Sequence, residues 1–193
     1  MPVPRLRDLA RQCGALGLRE TERLLASRIH EERLLALLLL VRRFDRGGPA
    51  ERRRVYRFYL SHTRRVNNWD LVDLSAPNIV GAHLADQPRA ALRRLARSPS
   101  LWERRIAMVA TLGLIRRNEF REALAIAETL LGDGEDLIHK AAGWMLREVG
   151  KRNAAALETF LRRHARRMPR TMLRYAIERF PARTRQRYLR RGG

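Results

Sequence analysis

Several things are scarce in this sequence, and each scarcity excludes something. Cysteine occurs once, as Cys13, so no internal disulfide can form and nothing points to an oxidising compartment. The longest apolar run, Leu34 to Val41, is eight residues, far short of a bilayer span. The first residues carry Arg5, Arg7 and Asp8 and no apolar h-region, so no signal peptide is expected. Aromatic residues make up 6% of the chain. Acidic residues number 20 against 41 basic ones, a formal charge of +21, and of the basic side chains only Lys140 and Lys151 are lysines. A chain so unbalanced repels itself when compact and attracts polyanions, which argues against a neutral-surfaced enzyme of small metabolites. Arginine presents a flat fork of donors that matches phosphate bidentately.

Apolar residues are not scarce. They make up 45% of 193 residues, too many for a disordered chain, and the length suits one domain or two small ones, burying roughly 70% of the unfolded surface. Leu, Ala, Arg and Glu dominate, all of them helix formers, and no period-2 run bounded by turn pairs suggests a strand. Breakers at Gly14/Gly17, Gly47-Gly48-Pro49, Pro77, Pro88, Ser98-Pro99, Gly132-Asp133-Gly134, Pro169 and Pro181 divide the chain into helices of about 8 to 18 residues. Ser100-Leu101-Trp102-Glu103 has the form of a capping box, and Asp133-Gly134-Glu135-Asp136 is expected to cap the following helix.

A mid-helix pair, an apolar residue followed by a small or β-branched one, recurs at Leu35-Ala36, Leu71-Val72, Ile106-Ala107, Ala141-Ala142 and Tyr175-Ala176. With the second member as position zero, the spacing is 34 to 36 residues. That period fits two helices and two turns, the hairpin unit of an α-solenoid. The expected fold is therefore all-α: about five HEAT-like hairpins forming one curved domain over residues 1–193, with a basic concave groove. In this frame Trp69 stands at −3, Asp73 at +1, Arg105 at −2 and Trp144 at +2. At 100° per residue they lie near 60°, 100°, 160° and 200°, outside the apolar stripe between about 260° and 40°. The second helices of solenoid hairpins line the concave surface, so two tryptophans, a carboxylate and an arginine are expected on one groove.

Taken singly, each residue has a plainer explanation. The tryptophans can be packing, Asp73 a cap or the partner of an arginine, and Arg105 one solvated cation among many. Trp102, at a helix start, reads as structural. Together the four residues suggest chemistry. A lone carboxylate in a cationic groove stabilises developing positive charge, such as the oxocarbenium-like state formed when a bond at a sugar C1′ breaks. Trp69 and Asp73, at i and i+4, lie one above the other.

These residues also carry a resemblance. Asn67-Asn68-Trp69-Asp70-Leu71-Val72-Asp73-Leu74-Ser75-Ala76-Pro77 resembles the WDxxD segment of the AlkD-like DNA alkylation repair family. His30-Glu31-Glu32-Arg33-Leu34-Leu35-Ala36-Leu37 is similar to an earlier helix of that family. Leu101-Trp102-Glu103-Arg104-Arg105-Ile106-Ala107 resembles its W-x-x-R helix, and Ala142-Gly143-Trp144-Met145-Leu146-Arg147-Glu148 its G-W-x-L-R-E helix. The likeness runs from about Thr21 to Tyr188.

The resemblance implies HEAT-like repeats and a monofunctional DNA glycosylase acting on cationic alkylpurines, N3-methyladenine and N7-methylguanine, in double-stranded DNA, without flipping the base into a pocket. It implies Asp73 as the catalytic carboxylate, Trp69 and Trp144 against the lesion-bearing deoxyribose, and Arg105 on a backbone phosphate. Arg104, Arg147 and Lys140 are further candidates for the backbone. Relative to the family pattern the chain begins late, with Pro2 to Leu18 in place of a first hairpin.

No metal or cofactor is expected. His30, His62, His83, His139 and His164 are scattered, Cys13 has no nucleophile context, and no glycine loop suited to phosphate is present. The expected protein is a cytoplasmic, nucleoid-associated monomer with no membrane partner. Two other readings stand beside the glycosylase: a non-catalytic solenoid that binds DNA or RNA, and, more remotely, an adaptor for anionic membranes or acidic proteins.

Overall fold

The computed structural model describes residues 2–13 and 16–191, so the breaker Gly14 lies outside the described residues. Among the described residues the chain is helical with no strand. It divides into two compact units, one running to Gln87 and one beginning at Pro88.

The first unit contains α1 (Val3–Gln12), α2 (Leu18–Leu25), α3 (His30–Arg46), α4 (Pro49–Ser61), a short 3₁₀ turn (Thr63–Arg65), α5 (Trp69–Ala76) and α6 (Ala82–Leu84). α1 occupies the stretch expected to replace a first hairpin, and it packs on α3. α3 is the centre of this unit. Glu31 and Glu32 in its first turn and Arg43 and Arg46 in its last complement the helix dipole. Leu34 to Leu40 are all buried, because α1, α2, α4 and α5 pack on α3. Seven of the eight residues of the apolar run are thus covered by neighbouring helices.

Pro77 does not end a helix, contrary to its reading as a breaker. The chain continues from α5 through a π-helical turn, Pro77–Gly81, into α6. Proline has no N–H to give the carbonyl four residues back, which is that of Asp73. The widened turn takes up the change of register, with the Ala82 N–H bonding to the Pro77 carbonyl.

The second unit contains α7 (Ala90–Leu95), α8 (Leu101–Ile115), α9 (Arg121–Thr129), α10 (Asp136–Arg152), α11 (Ala154–His164), α12 (Arg170–Ala176) and α13 (Ala182–Arg191). α10 lies between α8 and α12 and also packs on α9 and α11. Asn118, with φ of 62°, makes the left-handed turn between α8 and α9. Two capping expectations are corrected. Ser100 makes no side-chain cap bond. Instead, the Ser98 hydroxyl accepts from the Ser100 N–H at 3.1 Å and donates to Glu103 at 2.5 Å. α10 begins without a side-chain cap, since the Asp133 carboxylate accepts from the Glu135 N–H within the loop and is otherwise held by Arg104.

Five helical hairpins are traceable among the described residues: α2/α3 and α4/α5 in the first unit, α7/α8, α9/α10 and α11/α12 in the second. The position-zero residues Ala36, Val72, Ala107, Ala142 and Ala176 are all completely buried, on the second helix of each hairpin. Within each unit these second helices pack directly, α3 on α5, α8 on α10 and α10 on α12. Small residues at the seam let helix axes approach.

Gly143 shows how close that approach is. A Cβ placed there would lie 2.5 Å from both the Met172 carbonyl oxygen and the Tyr175 Cβ on α12. Gly143→Ala gains up to about 1 kcal/mol in helix propensity. The overpacking against backbone costs about 1–3 kcal/mol and dominates. We expect a lower melting temperature for this variant, measured by circular dichroism; an unchanged one would mean that α12 yields freely.

Polar ties join successive hairpins at about one repeat of separation. Arg89 bonds to Glu119, Arg93 to Glu122, Arg104 to Asp133, Arg105 to the Leu137 carbonyl and Arg147 to Glu178, at separations of 29 to 32 residues. Many arginines therefore cross-link the fold.

Candidate functional site

The WDxxD segment forms the start of α5. Trp69 is its first residue and 55% exposed, unusually open for a tryptophan. Asp73, one turn on, is half-buried between the buried Val72 and Ser75. Beneath it lies the fully buried Tyr59 of α4, whose hydroxyl is 2.9 Å from the Ser75 hydroxyl. Burial pushes the Tyr59 phenol far above its ordinary pKa. The Ser75 hydrogen bond opposes that shift, and the negative charge of Asp73 adds to it. The Asp73 carboxylate thus stands within electrostatic reach of a neutral phenol anchored in the core.

The start of α5 is held from α3. His30 Nε2 is 2.7 Å from the Asp70 carboxylate, and Arg33 donates to the Asn67 amide oxygen at 2.5 Å. Asp70 also accepts from the Leu71 N–H at 2.8 Å. Of the two acids in WDxxD, Asp70 is therefore engaged in fixing the helix.

In the second unit the expected site residues occupy α8 and α10. Arg105 is only 5% exposed and donates to the Leu137 carbonyl at 2.6 Å, near the start of α10. Its positive charge also reaches Lys140. Lys140 is partly exposed and paired with Asp136 at 2.8 Å. That hydrogen bond raises the pKa of the ammonium above, and lowers that of the carboxyl below, their ordinary values. Trp144 follows Lys140 by four residues on the same face of α10. It is half-buried, and its indole N–H donates to Glu148 at 3.2 Å. Arg104 is clamped to the Asp133 carboxylate at 2.6 Å and to the Ser98 and Pro99 carbonyls, and Arg147 is bonded to Glu178. Trp69 with Asp73, and Lys140 with Trp144, are thus neighbours on their own helices, while Arg104, Arg105 and Arg147 are engaged by protein groups.

Among the described residues, no three His, Cys, Asp or Glu side chains gather in a metal-binding group, and no helix is long and apolar enough to cross a membrane.

A family model described as "DNA alkylation repair enzyme" matches residues 1–180. The chain belongs to that family. A solved structure described as a predicted DNA alkylation repair enzyme from Enterococcus faecalis has a similar fold, with a TM-score of 0.73. The identity is 18%, and the match covers 94% of this chain and 87% of that one. No curated protein matches the chain significantly.

For a DNA alkylation repair family member, the supports of α5 are the residues sequence reading missed. Tyr59 and Ser75 are 16 residues apart and His30 and Asp70 are 40 apart, so no local pattern joins them. Only the repeat period, which sets the α3 start beside the α5 start, offered a signal.

Proposed function

We propose that this protein is a monofunctional DNA glycosylase that hydrolyses the N-glycosidic bond of cationic alkylpurines, N3-methyladenine and N7-methylguanine, in duplex DNA. The observation that carries the proposal is the α5 pair, an exposed tryptophan one turn from a half-buried carboxylate, in a chain of this repair family. A base already bearing positive charge leaves as a neutral molecule once its bond to C1′ breaks, so no acid has to protonate it. The electron deficit then sits on the sugar as an oxocarbenium-like ion, which the Asp73 carboxylate stabilises. Water adds to C1′ and loses a proton, leaving an abasic site and a free base.

Trp69 and Trp144 are assigned to the lesion-bearing deoxyribose, and Arg105 and Lys140 to backbone phosphate, Lys140 being the more open of the two. The protein works as a monomer on DNA in the cytoplasm.

The test is release of N7-methylguanine or N3-methyladenine from methylated duplex DNA by purified protein. Release of the free base is expected. Tight binding to the duplex with no release would replace the enzyme with a non-catalytic DNA-binding solenoid.

A further inference from the structure

The family match ends at residue 180, so it leaves out α13. Residues 159–193 hold twelve arginines and one glutamate, a net of +11 out of +21 for the whole chain. More than half of the excess charge thus falls in its last 35 residues, from the end of α11 through α12 and α13.

Two hollows open along α13. One, of about 360 Å³, lies between α11 and α13 and is lined by Arg162, Arg166, Thr184 and Arg187, with Glu158 at its wall. The other, of about 650 Å³, is lined by Arg183, Thr184, Gln186, Arg187 and Arg190. They share Thr184 and Arg187, so the two hollows adjoin along α13 with five arginines lining them. All five are exposed, and among the described residues none forms an ion pair. This contrasts with the paired arginines that join the hairpins. α13 has no acid in its first turn, and Arg183 and Arg187 are like charges at i and i+4, which destabilise a bare helix. A bound polyanion would remove that repulsion.

We propose that the α11–α13 cleft is a second nucleic acid site, gripping backbone phosphates of duplex DNA through residues other than those assigned to chemistry. Arginine forks match phosphate oxygens in pairs, and a cleft with one carboxylate among five guanidiniums favours the polyanion strongly. The same observations disfavour a membrane surface. A helix that lies on lipid needs an exposed apolar face, and α13 has none. Its largest ring, Tyr188, packs against Phe180 at 5.9 Å beneath the Arg187 guanidinium.

The experiment measures binding of a short undamaged duplex by fluorescence anisotropy across a salt series, so it does not depend on base release. The full-length triple variant Arg162→Gln, Arg166→Gln, Arg187→Gln is compared with Arg53→Gln, Arg54→Gln, Arg57→Gln on α4, which removes the same charge from another exposed surface. Each arginine that no longer neutralises a phosphate lowers the slope of log K against log salt by about 1. We expect a fall of about 3 for the cleft triple and under 1 for the α4 triple. Equal falls, or none, would overturn the site. So would loss of phosphatidylglycerol vesicle binding in the cleft triple with duplex binding intact. Should the glutamine triple unfold, Arg→Lys at the same three positions keeps the charge and removes the fork. A weakened affinity with the slope retained is then expected, and wild-type affinity would refute the proposal.

Discussion

Replacing Asp73 with asparagine is expected to slow the release of N7-methylguanine by about 100- to 1000-fold under single-turnover conditions. Removing one preorganised electrostatic group at a developing charge costs about 2.7–4 kcal/mol of barrier. The substitution keeps the shape of the side chain and removes its charge. Binding should move the other way: a chain of +21 loses one of its 20 acids, so undamaged duplex is held equally well or more tightly. The variant therefore separates chemistry from binding. A rate equal to wild type would take Asp73 out of the reaction. A rate that falls together with affinity would make it a structural residue.

Arg104→Ala is expected to lower stability by about 3 kcal/mol, because removing one partner of a largely buried pair leaves the other charge uncompensated. Asp133 is the partner at risk, with its side chain only 5% exposed. The same guanidinium ties the Ser98 and Pro99 carbonyls, so the loop leading into α8 loosens as well. For a chain of this size the fall corresponds to roughly 6–12 °C in melting temperature. The salt dependence of duplex binding should stay that of wild type. A stable variant whose slope falls by about 1 would instead return Arg104 to the role its sequence context suggested, a phosphate ligand.

The contrast between those roles marks where sequence reading works in this protein. The repeat frame was legible because it rests on short-range pattern. Ala36, Val72, Ala107, Ala142 and Ala176 share a period, and each is completely buried. The frame also put Trp69 outside the apolar stripe, and its indole is open to solvent. It could not tell which cation off the stripe also bonds to a neighbouring hairpin. Arg105 lies farther from the stripe than Trp144 by angle, yet it is buried, because the Leu137 carbonyl 32 residues away accepts from it. Partners at that distance leave no trace in local sequence. The capping box failed on a smaller scale. Ser98 and Ser100 both precede α8, and the choice between them depends on backbone geometry that composition does not encode. Pro77 misled for a related reason: a missing N–H usually stops a helix, but here a single widened turn absorbs it.

The ties between hairpins have a consequence for how the protein comes apart. Each reaches only the adjoining repeat, so resistance to heat is a chain of nearest-neighbour couplings. Loss of order should begin where an element has a neighbour on one side only, and then travel inward as a front. Charge-dependent couplings weaken in salt, so strong electrolyte should shorten the stretch of repeats that melts as one cooperative block.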